Sequence, residues 1–247
     1  MATVTGCARS PPRSPPLDDD IARAAPSAPA GGGLTWTGQP LSVPRGLWGW
    51  CRIYHRSART SRAETFRSFG PLMRFDHHTP PPGASAEDPG RRSVLYLAEN
   101  LTAAACEVFG EAGVAALCPQ WRVGIIEPVR PLRLLDLEPE GTAMRIGALP
   151  ALAQGRCVPR AWARAIAEDR PAGDEVSGIR YRTAYSAGIA LALWDCDDAV
   201  RTVGPDIPAD LPLIDPRILA RLRVGLAPLH LPVSPIGAGE CPRCVTA

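Results

Sequence analysis

Three segments far apart in the chain carry side chains that suit one ligand. Ser93–Glu111 (SVLYLAENLTAAACEVFGE) offers the carboxylate of Glu107. Trp50–His55 (WCRIYH) offers Arg52, and Gly178–Trp194 (GIRYRTAYSAGIALALW) offers the hydroxyls of Thr183 and Ser186. An arginine, a carboxylate and a hydroxyl on separate elements suit a pocket that holds a phosphate-bearing, ribose-bearing molecule and works on it. A guanidinium on a rigid strand binds a pyrophosphate through parallel N–H donors. One carboxylate is enough to cleave an N-glycosidic bond to nicotinamide. That leaving group is already cationic, so no general acid is needed. The carboxylate only has to hold the ribose and stabilise the positive charge developing on it. O-glycosidases, by contrast, need two carboxylates.

Each residue also has a plainer reading. Glu107 sits between Cys106 and Val108, where Ala103, Ala104 and Gly110 leave room for a ligand; a solvated helix glutamate reads the same way. Arg52 either grips phosphate or snorkels over Trp48 or Trp50, and spacing does not choose. Tyr96, at the end of the strand leading into the Glu107 helix, either stacks on a nicotinamide ring or is a core tyrosine with a bonded hydroxyl. Arg74, Asp76, His77 and His78 (RFDHH) form a polar knot that shapes a pocket loop or lies on the surface. The adjacent histidines lack a third ligand at useful spacing. Cys241-Pro242-Arg243-Cys244 is a lone CxxC, short of the four ligands of a zinc site. No metal is expected.

The elements that must carry these residues follow from pattern. Strands are expected at Leu47–His55, Ser93–Leu97, Trp121–Pro128 and Leu132–Leu137, and Ile179–Arg182 pairs with Ile189–Trp194. Asn100 or Thr102 caps a helix from Leu101 towards Ala116, interrupted or ended near Gly110–Gly113. Pro159–Glu168 is amphipathic, with Trp162, Ala163 and Ile166 on one face and Arg160 and Arg164 on the other. Pro216–Leu226 is a helix opened by Asp215 at the cap and Pro216 in the first turn. No regular βαβ rhythm appears, so the class is α+β with a mixed sheet. No Gly-rich phosphate fingerprint follows a strand, which argues against Rossmann and P-loop sites.

Composition bounds the rest. The chain has 247 residues, 45% hydrophobic and 21% charged, enough for one good-sized core. Residues 1–40 are rich in Pro, Ala, Gly and Ser and read as disordered. Residues 41–235 form the folded domain, and 236–247 a flexible tail. Thr79–Arg92, with Pro80-Pro81-Pro82-Gly83 and Pro89-Gly90, reads as a mobile insertion beside Arg74 and Tyr96. The net charge of +2 gives no basis for a nucleic-acid or membrane surface. No apolar run is long enough to span a membrane, and no secretory signal opens the chain. Eight cysteines in a chain this long do not demand disulfides. Cys51, Cys106 and Cys196 lie in apolar runs as small hydrophobes. A reduced, cytoplasmic protein is the simplest reading.

Taken in order, WCRIYH, FGPLMRFDHH, VLYLAENLTAAACEVFGE, LLDLE, RAWARAIAED and GIRYRTAYSAGIALALWD resemble the RES-domain family, named for an arginine, a glutamate and a serine. The resemblance covers residues 47–235. It implies a fold similar to ADP-ribosyltransferases and a toxin of a bacterial toxin–antitoxin pair. Such toxins act on NAD+ by hydrolysis or phosphorolysis, some relatives transfer ADP-ribose to a protein, and an Xre-type antitoxin blocks the active site. Carried over by position, the arginine is Arg52, the strand tyrosine Tyr96 and the glutamate Glu107. Arg74 and Ser186 join Arg52 and Tyr96 in holding NAD+ as substrate. Thr183 stands where close relatives have the serine, with Ser186 three residues on. Threonine keeps the hydroxyl but adds a methyl and stiffens χ1. Three activities stay open: NAD+ cleavage by water or phosphate, protein ADP-ribosylation, and a degenerate domain that only binds a partner.

Overall fold

Short apolar runs broken by Pro and Gly produce many brief strands rather than a few long ones. In the computed structural model the described residues are 41–43, 49–56, 60–81, 83–138, 146, 157–186, 188–203 and 210–245. The segment 1–40, expected to be disordered, lies outside them. The elements are β1 (Leu41–Val43), β2 (Trp50–His55), β3 (Phe69–Gly70), β4 (Ala86–Glu87), β5 (Val94–Ala98), α1 (Leu101–Phe109), β6 (Ala115–Leu117), β7 (Trp121–Pro128) and β8 (Leu132–Asp136). There follow α2 (Cys157–Asp169), β9 (Val176–Arg182), β10 (Ile189–Trp194), β11 (Val200–Thr202), β12 (Asp210–Pro212), α3 (Pro216–Leu226), β13 (Val233–Pro235) and α4 (Pro242–Val245). A mixed nine-stranded sheet with helices against it makes the fold α+β.

The sheet runs β1-β8-β9-β10-β5-β2-β7-β11, with β12 also on β7. Its pairs are antiparallel except β8–β9. A parallel pair needs a crossover, and α2 lies in it. The pairing β5–β2 is the weak seam. These two strands meet through Cys51 opposite Ala98, whereas β2 pairs with β7 along its whole length. The sheet therefore opens between β5 and β2.

Strand alternation sorts residues onto the two faces. Cys51, Ile53 and Ala98 pack with α1, while Tyr54, Leu95 and Leu97 join the core on the other side. The run Ala103–Cys106 is buried, and its small side chains let α1 lie close on the sheet. Asn100 is the cap; its side chain accepts the Ala103 N–H at 2.8 Å. The helix stops at Phe109. A 3-10 turn over Gly110–Ala112 and a left-handed Gly113 (φ 68°) then feed β6, so the helix ends at the Gly110–Gly113 break that the sequence marked.

Two expectations change. Thr79–Arg92 is tied down rather than loose: β4 pairs with β3, and Asp88 accepts the backbone N–H groups of Thr79 (2.5 Å) and Gly90 (2.8 Å). The described part of the 236–247 tail folds back on the core, with Cys241 only 2% exposed. The polar face of α2 makes specific contacts. Arg160 donates to the Met73 carbonyl at 3.0 Å, and to that of Leu72, and Arg164 donates to the Thr79 carbonyl at 3.2 Å. The loop carrying Arg74 is thus propped by a helix. Among the described residues no helix is long and apolar enough to cross a membrane.

Candidate active site

A cavity of about 480 Å³ lies over the seam between β5 and β2. One wall is a stripe of α1 and the turn after it: Ala104, Glu107, Val108 and Glu111. Their spacing of three, one and three residues is one face of a helix. Met73 and Arg74 adjoin this stripe, and the tyrosines Tyr96, Tyr181 and Tyr185 are also in the lining.

Glu107 is held from two sides. One carboxylate oxygen pairs with the Arg74 guanidinium at 2.8 Å, and the other accepts the Ala184 backbone N–H at 2.8 Å. Both partners keep little solvent, with Arg74 11% and Glu107 18% exposed at the side chain. Two ionised oxygens offer about four acceptor sites, so this clamp leaves room for a ligand hydroxyl. Arg74 in turn lies over the Tyr181 ring at 5.2 Å and the Phe75 ring at 5.7 Å.

The loop that presents Arg74 is built around Asp76, whose side chain is fully buried. Asp76 accepts two bonds from Arg67 at 2.8 Å, the Leu72 and Met73 N–H groups at 2.5 and 2.9 Å, and the Tyr96 hydroxyl at 2.9 Å. Burial works against its charge, but the Arg67 guanidinium and these donors outweigh it and hold the carboxyl below its ordinary range. The Tyr96 hydroxyl also accepts the Phe75 N–H at 3.0 Å. Tyr96 is thus a tyrosine with a bonded hydroxyl, and it also lines the cavity. Burial and the Asp76 charge push that hydroxyl well up, and burial with Glu107 does the same to Tyr181. Both remain protonated. Burial also pushes the Cys51 thiol, in the cavity floor, up to about 11. It is an inert wall rather than a nucleophile.

Arg52 is not brought to this cavity, contrary to the sequence reading. It alternates with Cys51 and Ile53, so it faces the other side of the sheet from α1. Its guanidinium donates to the Ala63 and Thr65 carbonyls at 2.5 and 2.6 Å. Burial pulls it down to about 10, still charged at neutral pH. Arg74 holds the place against Glu107 that Arg52 was expected to take.

Thr183 and Ser186 come together, but into the turn between β9 and β10 rather than onto the cavity. The Thr183 hydroxyl donates to the Ser186 carbonyl at 2.7 Å and lies 2.6 Å from the Ser186 hydroxyl, which accepts the Gly188 N–H at 3.2 Å. These bonds shape the turn that supplies the Ala184 N–H and the Tyr185 ring. The histidines of the polar knot are separate structural contacts: His77 Nε2 meets Asp195 at 2.9 Å, and His78 Nε2 meets the Arg67 carbonyl at 3.1 Å.

Asp76, Arg67, Tyr181, Tyr185 and the Ala184 N–H were missed as site groups in the sequence. The signal for Asp76 was a carboxylate between Phe75 and two histidines; Tyr181 and Tyr185 lay in GIRYRTAY at an interval that spans a strand end and a turn.

A chain in the crystal structure of the M. tuberculosis MbcT–MbcA toxin–antitoxin complex aligns with 75% of this chain and 91% of its own length, at 16% identity and a TM-score of 0.43. No curated protein matches the sequence. A family model, the RES domain, matches residues 50–213. That span is more than half of the chain and contains every cavity-lining residue, and the chain belongs to the RES domain family.

Proposed function

We propose that this protein cleaves NAD+ at the nicotinamide N-glycosidic bond and serves as the toxin of a bacterial toxin–antitoxin pair, blocked in the cytoplasm by an Xre-type antitoxin. The observation that carries the chemistry is the Glu107 carboxylate, clamped by Arg74 and a backbone N–H at the edge of a cavity large enough for a cofactor-sized molecule. Glu107 accepts a hydroxyl of the nicotinamide ribose and stabilises the cation that forms as the C–N bond breaks. The bonding electrons leave with nicotinamide, which departs neutral. Phosphate, or water with loss of a proton to solvent, then bonds to the ribosyl carbon.

Arg74, not Arg52, serves the phosphates in this reading. A guanidinium has five N–H donors in a fixed fork, so it can bridge Glu107 and an anionic oxygen. Tyr96 and Tyr185 offer faces for the nicotinamide ring, while the buried Tyr181 backs Arg74. Thr183 and Ser186 act at one remove, by holding the turn that holds Glu107. The methyl that threonine adds therefore bears on the turn rather than on the ligand, which weighs against a degenerate domain.

The experiment is incubation of the purified protein with NAD+, with and without phosphate, followed by assay of nicotinamide release. Release that disappears in Glu107→Gln supports the proposal; folded wild-type protein that releases none sinks it. Labelled NAD+ with cell lysate tests the other acceptor, since transfer of ADP-ribose labels a protein band. For the toxin role, expression should lower cellular NAD+ and arrest growth, and co-expression of the cognate antitoxin should restore both.

A further inference from the structure

Four side chains outside the cavity converge on a point that the NAD+ reading does not use. His55 ends β2, Cys118 follows β6, and Cys241 and Cys244 bracket the first turn of α4. Their ligand atoms all lie within 4.8 Å of one another. Around the single His55 Nε2 stand three sulfurs, Cys118 at 3.4 Å, Cys244 at 3.4 Å and Cys241 at 3.7 Å, and the Cys118 and Cys244 sulfurs are 3.5 Å apart.

Hydrogen bonding does not explain this arrangement, because one imidazole nitrogen makes one good bond, not three. Nor is it a disulfide, whose sulfurs would stand about 2.05 Å apart. It does match a coordination shell. With Zn–S about 2.3 Å and Zn–N about 2.0–2.1 Å, tetrahedral angles put sulfurs roughly 3.8 Å from one another and roughly 3.5 Å from the nitrogen. The observed edges fall around those values.

The surroundings fit as well. His55, Cys118 and Cys241 are buried and Cys244 partly so, which closes the site on the protein. The His55 ring is hydrogen-bonded to the Arg56 backbone and packs edge-on to Trp121 at 5.1 Å, so its orientation is set from behind. Three thiolates and a neutral imidazole leave a divalent ion with one negative charge in excess. Arg243 lies between the two tail cysteines, its guanidinium 4.9 Å from the Trp121 ring centre, and supplies a compensating cation. A four-residue helix in a Gly- and Pro-rich segment has little to hold it in place by itself.

We propose that His55, Cys118, Cys241 and Cys244 bind one zinc ion in a closed structural Cys3His site. Soft sulfur donors in a tetrahedron select zinc over magnesium or calcium. Each thiol gives up its proton as its sulfur takes the metal. Four protein ligands leave no open position, so the ion does no catalysis. Its effect is to staple the C-terminal segment to the end of β2, the strand whose Cys51 and Ile53 line the cavity.

The test uses the full chain, expressed in zinc-supplemented medium and purified under reducing conditions, with metal measured by elemental mass spectrometry. One zinc per chain is expected after gel filtration, with about tenfold less in Cys118→Ser and Cys244→Ser and full retention in Cys196→Ser. Replacing zinc by cobalt(II) should give the strong d–d and thiolate charge-transfer bands of a tetrahedral sulfur site. Those bands come from the wild type, so they decide even if the variants fail to fold. Folded wild type that holds no zinc and shows no such bands overturns the proposal. So does zinc that all variants retain equally, or a disulfide among Cys118, Cys241 and Cys244 in the reduced preparation. None of these readouts depends on NAD+ chemistry.

Discussion

At the scale of single residues, the site rests on the ion pair of Glu107 with Arg74 at 2.8 Å. Glu107→Gln keeps the shape and the acceptor for the Ala184 N–H but removes the charge. Nicotinamide release should fall by about 10²–10³ in kcat, with an unchanged circular dichroism spectrum. Arg74→Lys keeps a cation but loses the planar fork. KM for NAD+ should rise roughly tenfold while the protein stays folded. Arg52 gives the opposite signature. Arg52→Met leaves the Ala63 and Thr65 carbonyls without their donor. It should cost about 2–4 kcal/mol of stability, seen as a lower denaturation midpoint, with kcat of the folded fraction near wild type. Loss of kcat at intact stability in that variant would return Arg52 to the site.

At the scale of elements, α1 and the turn between β9 and β10 must keep their distance for Glu107 to meet Ala184. Gly110 is where they touch: a Cβ there would stand 2.4 Å from the Tyr185 ring and 2.9 Å from its Cβ. Gly110 already has helical dihedrals, with φ −58° and ψ −39°, so alanine strains no backbone. Gly110→Ala should displace Tyr185 from the cavity mouth and raise KM several-fold, with little change in melting temperature. The turn itself is knit by hydroxyls. Thr183→Ser should preserve activity, whereas Thr183→Val, which removes the bonds to Ser186, should lower it by about tenfold, the equivalent of about 1.4 kcal/mol. Equal activities of the two variants would show that the hydroxyl is dispensable.

At the scale of the whole molecule, buried titratable groups set the response to acid. Burial holds His78 below its ordinary 6.5. The folded state then binds fewer protons than the unfolded chain, so this contribution is present above pH 6.5 and is lost as pH falls through the depressed value. Asp76 and Asp195 follow the same sign at lower pH. Burial opposes their charge, but Arg67 at Asp76 and His77 at Asp195 win, and both carboxyls lie below 3.8. Their stabilisation is present above pH 3.8 and disappears on further acidification. The melting temperature should therefore be level around neutral pH, begin to fall below about 6.5, and drop steeply below about 4; above about pH 9 it should fall again, because burial keeps Cys51, Tyr96 and Tyr181 protonated in the folded state. Because Asp76 anchors the Arg74 loop, NAD+ cleavage should fail with that second step.

Local pattern was enough for the elements that frame the cavity. The Asn100 cap, the amphipathic run with Trp162 and Ile166, the strand pair joined through Thr183–Gly188 and the α+β class each follow from residue order, because capping and periodicity act over a few neighbouring residues. Glu107 was legible for the same reason, as a carboxylate set in small residues on a helix. Its partner was not. Whether Arg52 or Arg74 faces it depends on which side of the sheet each lands, and a strand turns successive side chains to opposite faces. The cysteines show the limit most plainly: Cys241 and Cys244 are a weak pair along the chain, and only tertiary packing brings His55 and Cys118, more than a hundred residues away, within reach of them. Sequence order determines which groups share a helix face or a turn. Contacts between distant segments are decided by sheet order and strand facing, which no local spacing encodes.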